Sequence, residues 1–500
     1  MVKKTAGMLS AELPTSFRAE IGTVLVAGAT GYIGGRLVPE LVARGYKVRV
    51  MVRAGSPEHA ERWPEAEVVV ADALSEEQVA EALRDVDTVY YLIHSMLVGK
   101  RRFEDADTRA ARNFRLAAEL QHVKRIIYLG GLGDTQTDLS THLASRSQVA
   151  EEFTKGTVPT TILRAAIIIG SGSASYEMIN HLVRKIPLFL VPSWAKTRCQ
   201  PIGLRDVIKI LMGVLELPET GGRTFDIGGS DILTYEKILQ THAEVLGKKR
   251  LFLPSPISNI GFYSYITSLL TPVPAAITWC LMESVTHDVV CEENDIEKLI
   301  PFRRISCKEA LVLALSREEQ DAVSTRWSDS YPPDYELAIK LREIEGAPTY
   351  TSSYSLVTSK SAQALFESIT RIGGKEGWFH STFLWRIRGG IDRLLRGVGT
   401  TRGRRTARGL RVNDVVDFWR VEEVCYHRQL LLRAEMKVPG YAWLEFRVDP
   451  VSGDKNRLSV NAYYKTKGLW GHTYWYIFLP FHHFIFDDLI KQIERRSKED

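Results

Sequence analysis

The stretch that decides the fold is Val24-Leu25-Val26-Ala27-Gly28-Ala29-Thr30-Gly31-Tyr32-Ile33-Gly34. Four apolar residues in a row predict a buried strand, and the amphipathic residues 33–44 predict a helix. Between them, Gly28 permits a tight turn, Gly31 lets the backbone approach a ligand, and Gly34 lets the helix pack closely on the strand. The stretch therefore predicts a strand, a glycine-rich turn and a helix in direct succession.

The same alternation continues along the first part of the chain. Apolar runs at residues 88–93, 125–129 and 160–169 alternate with helical stretches such as residues 105–122. Runs that are apolar on both faces are typical of a parallel sheet covered by helices. We predict an α/β Rossmann domain with a doubly wound parallel sheet at residues 21–315, with a small substrate lobe from about residue 171. Residues 1–20 are expected to form a disordered N-terminal extension.

Composition narrows the class of protein. Of the 500 residues, 45% are hydrophobic and 25% are charged, which is typical of a globular protein with two or more domains. A net charge of +5 from 65 basic and 60 acidic residues does not indicate nucleic-acid binding. The five cysteines include no Cys-x-x-Cys pair, so a cytoplasmic location is expected. No metal site is assigned, because His483 and Asp487 together supply only two ligands.

The segment at residues 257–282 is long and apolar. It contains Pro272 and Pro274, whereas a spanning helix needs about 20 predominantly apolar residues with an internally bonded backbone. We predict two buried helices and no transmembrane span. Peripheral contact with a membrane surface is the alternative that stays open.

A second domain is predicted at residues 348–500, after a connecting segment at residues 316–347. Strand-like stretches at residues 350–358, 414–424, 427–436, 442–449 and 458–465, and a closing helix at 481–496, indicate an α+β fold. Six of the ten tryptophans lie after Pro348, where they either fill a core or line a cavity for an apolar ligand. Arginines cluster at residues 393–411, and a solvated loop or a site for an anionic ligand or membrane surface would each account for them.

A glycine-rich turn between a strand and a helix can bind the pyrophosphate of a nicotinamide dinucleotide, because free amides at the helix N-terminus bond phosphate oxygens. A purely structural turn is the alternative. The predicted contacts from this loop are Gly28, Thr30, Gly31, Tyr32, Ile33 and Gly34.

The residue after the second strand indicates which dinucleotide is bound. NAD-binding domains carry an acidic residue about 20 residues after the loop, where it bonds the ribose hydroxyls, but this chain has Arg53. Since a guanidinium attracts a 2′-phosphate, NADP(H) is favoured and NAD(H) is the alternative. Asp72, next to Ala73, is placed to bond the adenine amino group or to cap the following helix.

Three further residues are predicted to line the nicotinamide pocket. Ile93, His94 and Ser95 end or follow the fourth strand. They are expected at the carboxyl edge of the sheet, where ligands bind in open α/β folds.

The loop at residues 28–34, together with Asp72-Ala73, Tyr91-Leu92-Ile93-His94-Ser95-Met96 and Leu163-Arg164-Ala165-Ala166, resembles the atypical short-chain dehydrogenase/reductases. Within that group it is most similar to NmrA-like and complex I accessory-subunit-like proteins. Later stretches, among them Asp417-Phe418-Trp419-Arg420-Val421, resemble the DUF2867 domain, which is similar to START/polyketide-cyclase helix-grip folds. The second resemblance implies a curved sheet and a long helix that enclose an apolar ligand.

The catalytic residues that the first resemblance implies are replaced. Standard members use Ser, Tyr and Lys, whereas this chain has Gly130-Gly131 in place of the serine, and His142 and Arg146 in place of the tyrosine and lysine. Two functions stay open. One is an NADPH-dependent oxidoreductase for a carbonyl or quinone-like apolar substrate, with His142 as the acid and Arg146 orienting the cofactor. The other is a non-catalytic NADP(H)-binding redox sensor or assembly protein.

Overall fold

A computed structural model describes residues 8–53, 57–94, 100–133, 141–292, 295–319, 325–329, 339–374, 376–379, 382–400, 402, 404, 409–451, 453 and 455–498. The side chains of residues 57–58, 100–105, 141–142 and 317–319 are outside this description. The chain forms two compact units, one from residues 1–270 and 276–333, the other from residues 271–275 and 334–500.

Strands and helices alternate along the first unit. Its strands are β1 (Thr23–Ala27), β2 (Lys47–Val52), β3 (Glu67–Val70), β4 (Thr88–Tyr91), β5 (Arg125–Gly131), β6 (Thr160–Ala165), β7 (Ile168–Ile169), β8 (Leu188–Val191), β9 (Arg198–Cys199), β10 (Ile202–Gly203), β11 (Thr224–Ile227), β12 (Leu233–Thr234) and β13 (Leu251–Pro254). Its helices are α1 (Gly34–Arg44), α2 (Pro57–Arg62), α3 (Glu76–Ala82), α4 (Lys100–Leu120), α5 (Thr141–Thr154), α6 (Ala174–Lys185), α7 (Leu204–Glu216), α8 (Tyr235–Val245), α9 (Ile260–Leu270), α10 (Ala275–Glu283), α11 (Asp295–Leu299) and α12 (Cys307–Glu319).

Seven of these strands form one parallel sheet in the order β11-β6-β5-β4-β1-β2-β3. The strand order reverses between β1 and β4, which pair in parallel from Val24↔Thr88 to Ala27↔Tyr91. In such sheets the ligand binds outside the carboxyl ends of the strands at this reversal. The predicted doubly wound α/β fold is confirmed.

Helices cover both faces of the sheet. On one face, Leu37 and Leu41 of α1 pack with α7, which is buried along nearly its whole length. On the other face, Phe114 of α4 and Phe153 of α5 pack against Tyr91. The two apolar clusters explain why β1 and β5 are continuous apolar runs rather than alternating ones.

The prediction of a disordered extension at residues 1–20 is wrong for the described residues 8–20. Two short 3-10 helices lie at Leu9–Glu12 and Ala19–Ile21. The hydroxyl of Ser10 donates to the Glu40 carboxylate of α1, and Glu12 pairs with Lys209 of α7. These polar anchors leave no periodic apolar pattern in the sequence, so the segment reads as unstructured.

The lobe after residue 171 contains α6, α8, α9, α10 and a two-stranded parallel ribbon. In the ribbon, β8 pairs with β13 from Leu188↔Leu251 to Val191↔Pro254. Helices α9 and α10 are the two helices predicted for residues 257–282. Across the residues that the structure describes, no helix combines the length and the apolar character needed to cross a membrane.

The second unit is built on a six-stranded antiparallel sheet in the order β14-β19-β18-β17-β16-β15. Its strands are β14 (Tyr350–Thr358), β15 (Val415–Val416), β16 (Trp419–Cys425), β17 (Gln429–Ala434), β18 (Gly440–Val451) and β19 (Lys455–Thr466). Its helices are α13 (Ala362–Ile369), α14 (Thr382–Leu394) and the long α15 (Gly468–Arg496). Helix α15 contains Pro480. The sequence predicts that this helix starts at Phe481, because proline is tolerated in the first turn of a helix but not in its interior. The structure shows that the helix starts at Gly468 and continues through Pro480.

Five of the six tryptophans of the second unit are buried, and three of them belong to its main apolar core. Trp378, Trp385, Trp419, Trp443 and Trp475 are buried, whereas Trp470 is 80% exposed. The rings of Trp378 and Trp385 stack with their centroids 4.5 Å apart. Of the two roles considered for these side chains, core packing is the one that the described residues display.

The arginine cluster at residues 393–411 is partly internal. Arg393 and Arg402 are buried, and Arg402 donates to the Glu435 carboxylate at 2.6 Å. Arg405 and Arg408 lie outside the described residues. The interpretation of this segment as a fully solvated basic loop is therefore wrong for Arg393 and Arg402, whose side chains are buried inside the domain.

Candidate functional site

The glycine loop connects β1 to α1 with a geometry that only small residues allow. Gly28 has a φ of +88°, and a Cβ there would lie 2.7 Å from the Leu92 carbonyl oxygen. A Cβ on Gly34 would lie 2.3 Å from the Gly28 carbonyl oxygen. At Gly31 the nearest such atom is the Gly28 carbonyl oxygen at 3.1 Å. Gly28 and Gly34 thus leave no room for a side chain, whereas a Cβ on Gly31 would meet a single backbone atom in a tight contact.

This loop forms one end of a cavity of about 750 Å³ in the first unit. Ten of the twelve predicted cofactor-binding residues line the cavity. They are Gly28, Thr30, Gly31, Tyr32, Ile33, Gly34, Arg53, Ala73, Ile93 and His94. Arg146 also lines the cavity. Of the remaining predictions, Ser95 and the side chain of His142 lie outside the described part of the chain. The size and the glycine loop fit a dinucleotide with its pyrophosphate at the start of α1.

Asp72 has a local role in the structure. Its carboxylate accepts a hydrogen bond from the Leu74 backbone N–H at 3.0 Å, and it does not belong to the cavity lining. The residue that caps α3 is Ser75, whose hydroxyl accepts from the Gln78 backbone N–H. Asp72 therefore shapes the turn after β3 and leaves Ala73 to face the cavity.

Arg53 lies directly after β2, and its side chain is exposed where it borders the cavity. The position is the carboxyl end of the strand next to β1, where the ribose of a bound dinucleotide is held in Rossmann domains. The Arg53 guanidinium therefore places a positive charge at this edge of the cavity.

His94 belongs to a buried cluster of ionisable side chains that also contains Asp107 and lies close to Arg146. The sequence predicted His94 and Arg146 as site residues but not Asp107. The Nδ1 atom of His94 lies 3.5 Å from the Asp107 carboxylate of α4. Burial, with a further contribution from the Arg146 charge, lowers the pKa of His94 to about 4, although Asp107 acts in the opposite direction. His94 is thus neutral at pH 7, and it lies in the wall of the cavity.

Asp107 was missed, yet the sequence contained a signal for it. Along α4, Asp107 lies three, four and seven residues before the buried Ala110, Ala111 and Phe114. These spacings place it on the buried stripe of the helix. A carboxylate in that stripe requires a partner, and His94 is that partner.

Arg146 of α5 is held against the end of β5. Its Nη1 donates to the Leu129 carbonyl oxygen at 3.2 Å, and the Tyr128 hydroxyl donates to the Arg146 carbonyl oxygen at 3.2 Å. A Cβ on Gly131 would lie 2.8 Å from a Leu143 methyl carbon. Packing of α5 on β5 therefore leaves little room for a serine at Gly131.

The far end of the cavity is apolar. Its walls come from α6, α8, α9, α10 and β8, and they include Met178, Leu182, Leu239, Ile266, Phe262 and Leu281. One continuous cavity thus joins the glycine loop to an apolar compartment in the lobe.

Comparison with known proteins gives two family matches. A model described as NAD(P)H-binding matches residues 28–177, and a model described as a protein of unknown function, DUF2867, matches residues 344–489. The glycine loop is at the beginning of the first match, and all six strands of the antiparallel sheet are in the second.

Three curated relatives each align with about half of the chain. The chain is 25% identical over 288 residues to mitochondrial NADH dehydrogenase [ubiquinone] 1 alpha subcomplex subunit 9 of Arabidopsis thaliana, with 54% of this chain and 71% of the relative covered. It is 27% identical over 260 residues to a ceramide reductase of Caulobacter vibrioides (51% and 81% covered). It is 22% identical over 250 residues to a photosystem II assembly factor of Trieres chinensis (49% and 77% covered).

The sheet order, the glycine loop and these matches agree with the resemblance drawn from the sequence. The chain therefore carries an NAD(P)H-binding domain at residues 28–177, followed by a DUF2867 domain at residues 344–489.

Proposed function

We propose that the protein is an NADPH-dependent oxidoreductase that reduces the carbonyl or quinone group of a long apolar substrate. The observation that carries this proposal is the continuity of the cavity, which runs from the glycine loop to the apolar walls of the lobe. A reductase needs the reactive end of its substrate beside the nicotinamide and the rest of it in a compartment of matching polarity. The relative named ceramide reductase supports an apolar substrate.

The protein's own residues would supply binding and proton transfer. When bound, NADPH supplies a hydride to the carbonyl carbon. His142, at the start of α5, would donate a proton to the carbonyl oxygen, so that an alcohol forms. Arg146, one turn further along α5, would hold the cofactor or the developing oxyanion by its positive charge. Neutral His94 would orient the substrate or the carboxamide by hydrogen bonding.

The direct test is NADPH oxidation by the full chain, followed by absorbance, with a short-chain ubiquinone analogue and a long-chain aliphatic ketone as probes. We expect turnover with at least one of these two apolar probes. We expect no turnover with a water-soluble compound that carries the same reducible group but lacks the apolar chain. Equal turnover of the apolar probe and this compound would contradict the role given to the apolar compartment.

Replacing His142 with alanine is expected to lower kcat about 100-fold, because general acid catalysis contributes at least that much. The Kd for NADPH should not change, since the side chain is assigned to proton transfer rather than to binding. Steady-state kinetics and NADPH titration measure the two quantities separately. Gln148→Ala is the control, because Gln148 is an exposed residue of the same helix. A His142→Ala variant with unaltered kcat would refute the acid role.

Replacing Arg53 with aspartate is expected to weaken NADPH binding about 10- to 100-fold, which is the loss of a charge-assisted contact with the 2′-phosphate. NADH affinity should change little or improve. Calorimetric titration of both dinucleotides provides the measurement. Arg49→Ala is the matched control, because Arg49 lies on the same strand but pairs with Glu67 instead. Retention of the NADPH preference in Arg53→Asp would show that the selectivity has another source.

A non-catalytic NADP(H)-binding role is the second candidate. Arg146 is engaged with the Leu129 carbonyl oxygen, and glycines occupy the place of the usual serine. Two relatives are named as a respiratory-complex subunit and an assembly factor. If NADPH raises the Tm of the protein but none of the apolar probes is reduced, this second role is the better description.

A further inference from the structure

The β8–β13 ribbon carries four leucines on its outer face. Leu188 and Leu251 are register partners, as are Leu190 and Leu253, so the four side chains form one block. They are 43%, 57%, 49% and 42% exposed, respectively. Single exposed apolar residues are ordinary, but a contiguous block of large ones marks an interaction site.

The inner face of the ribbon is an ordinary core. Phe189 and Phe252 stack there with centroids 4.9 Å apart and planes 8° apart, and they pack with Val183 and Ala243. The ribbon is therefore firmly attached to the lobe. Its exposed leucines are a feature of a well-packed element and not of a frayed end.

The leucine face lies at the apolar end of the cavity. Leu188 and Leu190 belong to both the exposed block and the cavity lining. Ile257 and Phe262, which are 42% and 46% exposed, also line the cavity. The outer apolar surface and the inner apolar compartment are thus continuous through the ribbon and the start of α9.

Positive charge lies at one end of this surface, where it forms a basic rim. Residues 178–205 and 245–282, which contain both strands and α9, include no Asp or Glu. The basic residues before β8 are Arg184 and Lys185, and those before β13 are Lys248, Lys249 and Arg250. Because the strands are parallel, both groups lie at the same end of the ribbon. The Arg250 guanidinium bonds the carbonyl oxygens of Val183 and Arg184, which leaves its charge uncompensated by these contacts.

We propose that the leucine face and its basic rim dock the protein on an anionic lipid bilayer. Apolar side chains enter the headgroup region while lysines and arginines bind lipid phosphates, as in other peripheral proteins. The docked cavity would open toward the membrane, so that an apolar substrate could enter from the lipid phase. The docking itself is independent of catalysis, whereas the entry of a substrate rests on the proposed oxidoreductase function.

The test is flotation of the full chain with vesicles, without substrate. Binding is expected for phosphatidylcholine vesicles that contain phosphatidylglycerol, and weaker binding for phosphatidylcholine alone. The double variant Leu251→Glu/Leu253→Glu changes the leucine face without changing a residue of the cavity lining. We expect it to bind anionic vesicles about tenfold less than the unmodified protein does. Lys248→Gln/Lys249→Gln should reduce binding to the anionic vesicles by about fivefold per lysine and leave the neutral ones unaffected.

Two controls separate this surface from others. Val312→Glu changes an exposed aliphatic residue of α12 in the same unit and should float like the unmodified protein. Trp470→Glu/Phe484→Glu changes the exposed apolar face of α15 in the second unit and should also retain binding. NADPH titration of each variant reports whether the first unit is folded.

Three outcomes would overturn the proposal. They are absence of flotation by the unmodified protein, unchanged flotation of Leu251→Glu/Leu253→Glu, and loss of flotation only in the α15 variant. Failure of the oxidoreductase proposal would look different, because vesicle binding would persist while no apolar probe oxidises NADPH.

Discussion

Replacing Glu435 with alanine is expected to lower the free energy of unfolding of the DUF2867 domain by about 3–5 kcal/mol. Glu435 is buried between arginines. Its carboxylate bonds Arg402 at 2.6 Å and Arg420 at a short distance, and Arg433 lies 3.9 Å away. Removing the one carboxylate would leave these guanidinium groups with buried and poorly compensated charge.

The same network gives a pH dependence with a defined sign. Burial acts to raise the pKa of Glu435, but the charges of Arg420 and Arg402 outweigh it and hold the pKa far below its usual range. An unfolded glutamate has a pKa of about 4.3. The stabilisation is therefore fully present above that value and is lost as pH falls through the folded pKa. The difference in stability between the unmodified protein and Glu435→Gln should shrink below about pH 4.

Urea unfolding followed by tryptophan fluorescence measures both effects, because five buried tryptophans report on this domain. Glu423→Ala is the matched control, since Glu423 is an exposed residue of β16 in the same sheet, and it should change stability by less than about 0.5 kcal/mol. If Glu435→Ala were no more destabilising than Glu423→Ala, the arginine network would not depend on this carboxylate.

Replacing Gly34 with alanine is expected to weaken NADPH binding by about 10- to 100-fold or more. The new methyl group would lie 2.3 Å from the Gly28 carbonyl oxygen and 2.9 Å from the Ala29 Cα. Both are backbone atoms, so α1 must move away from β1, at a cost of about 1–3 kcal/mol. That movement displaces the amides that would bond the pyrophosphate.

Two other glycines make this prediction specific. Gly31→Ala adds a methyl group whose nearest neighbour is the Gly28 carbonyl oxygen at 3.1 Å, so it should reduce NADPH affinity without lowering the Tm. Gly390→Ala, where nothing lies within 4 Å, should leave binding unchanged and stabilise α14 slightly. Calorimetric titration and thermal unfolding of the three variants provide the measurements. Undiminished NADPH binding by Gly34→Ala would show that the close contact is not required.

The strands around the glycine loop were predictable because one physical rule dominates there. The apolar stretch Val24–Ala27 proved to be β1, since a buried parallel strand reads as an unbroken apolar run. The β8–β13 ribbon was not predicted, because Pro187 and Pro192 flank Leu188–Val191 and each residue of β8 pairs with one that is 63 positions further along the chain. Local patterns do not encode such a partner.

The candidate site likewise combines features that the local sequence predicts with features that depend on tertiary packing. The loop from Gly28 to Gly34 carries its own geometry, so its position at the cavity followed from the sequence. The pairing of His94 with Asp107 depends on how α4 packs against the end of β4. The apolar walls depend on four helices and strand β8, which meet only in the folded lobe. Residue type and spacing predict the first kind of feature and leave the second to tertiary structure.

The placement of β11 at the edge of the parallel sheet has a consequence for biosynthesis. Its pairing partner β6 ends at Ala165, and β11 begins at Thr224. At ordinary translation rates the ribosome needs several seconds to make the intervening segment. During that interval the nascent chain presents β6 as a bare strand edge, which is a template for association with other chains. Chaperone protection of the growing polypeptide would matter most in this window, and translation speed between these two strands would affect the yield of native protein.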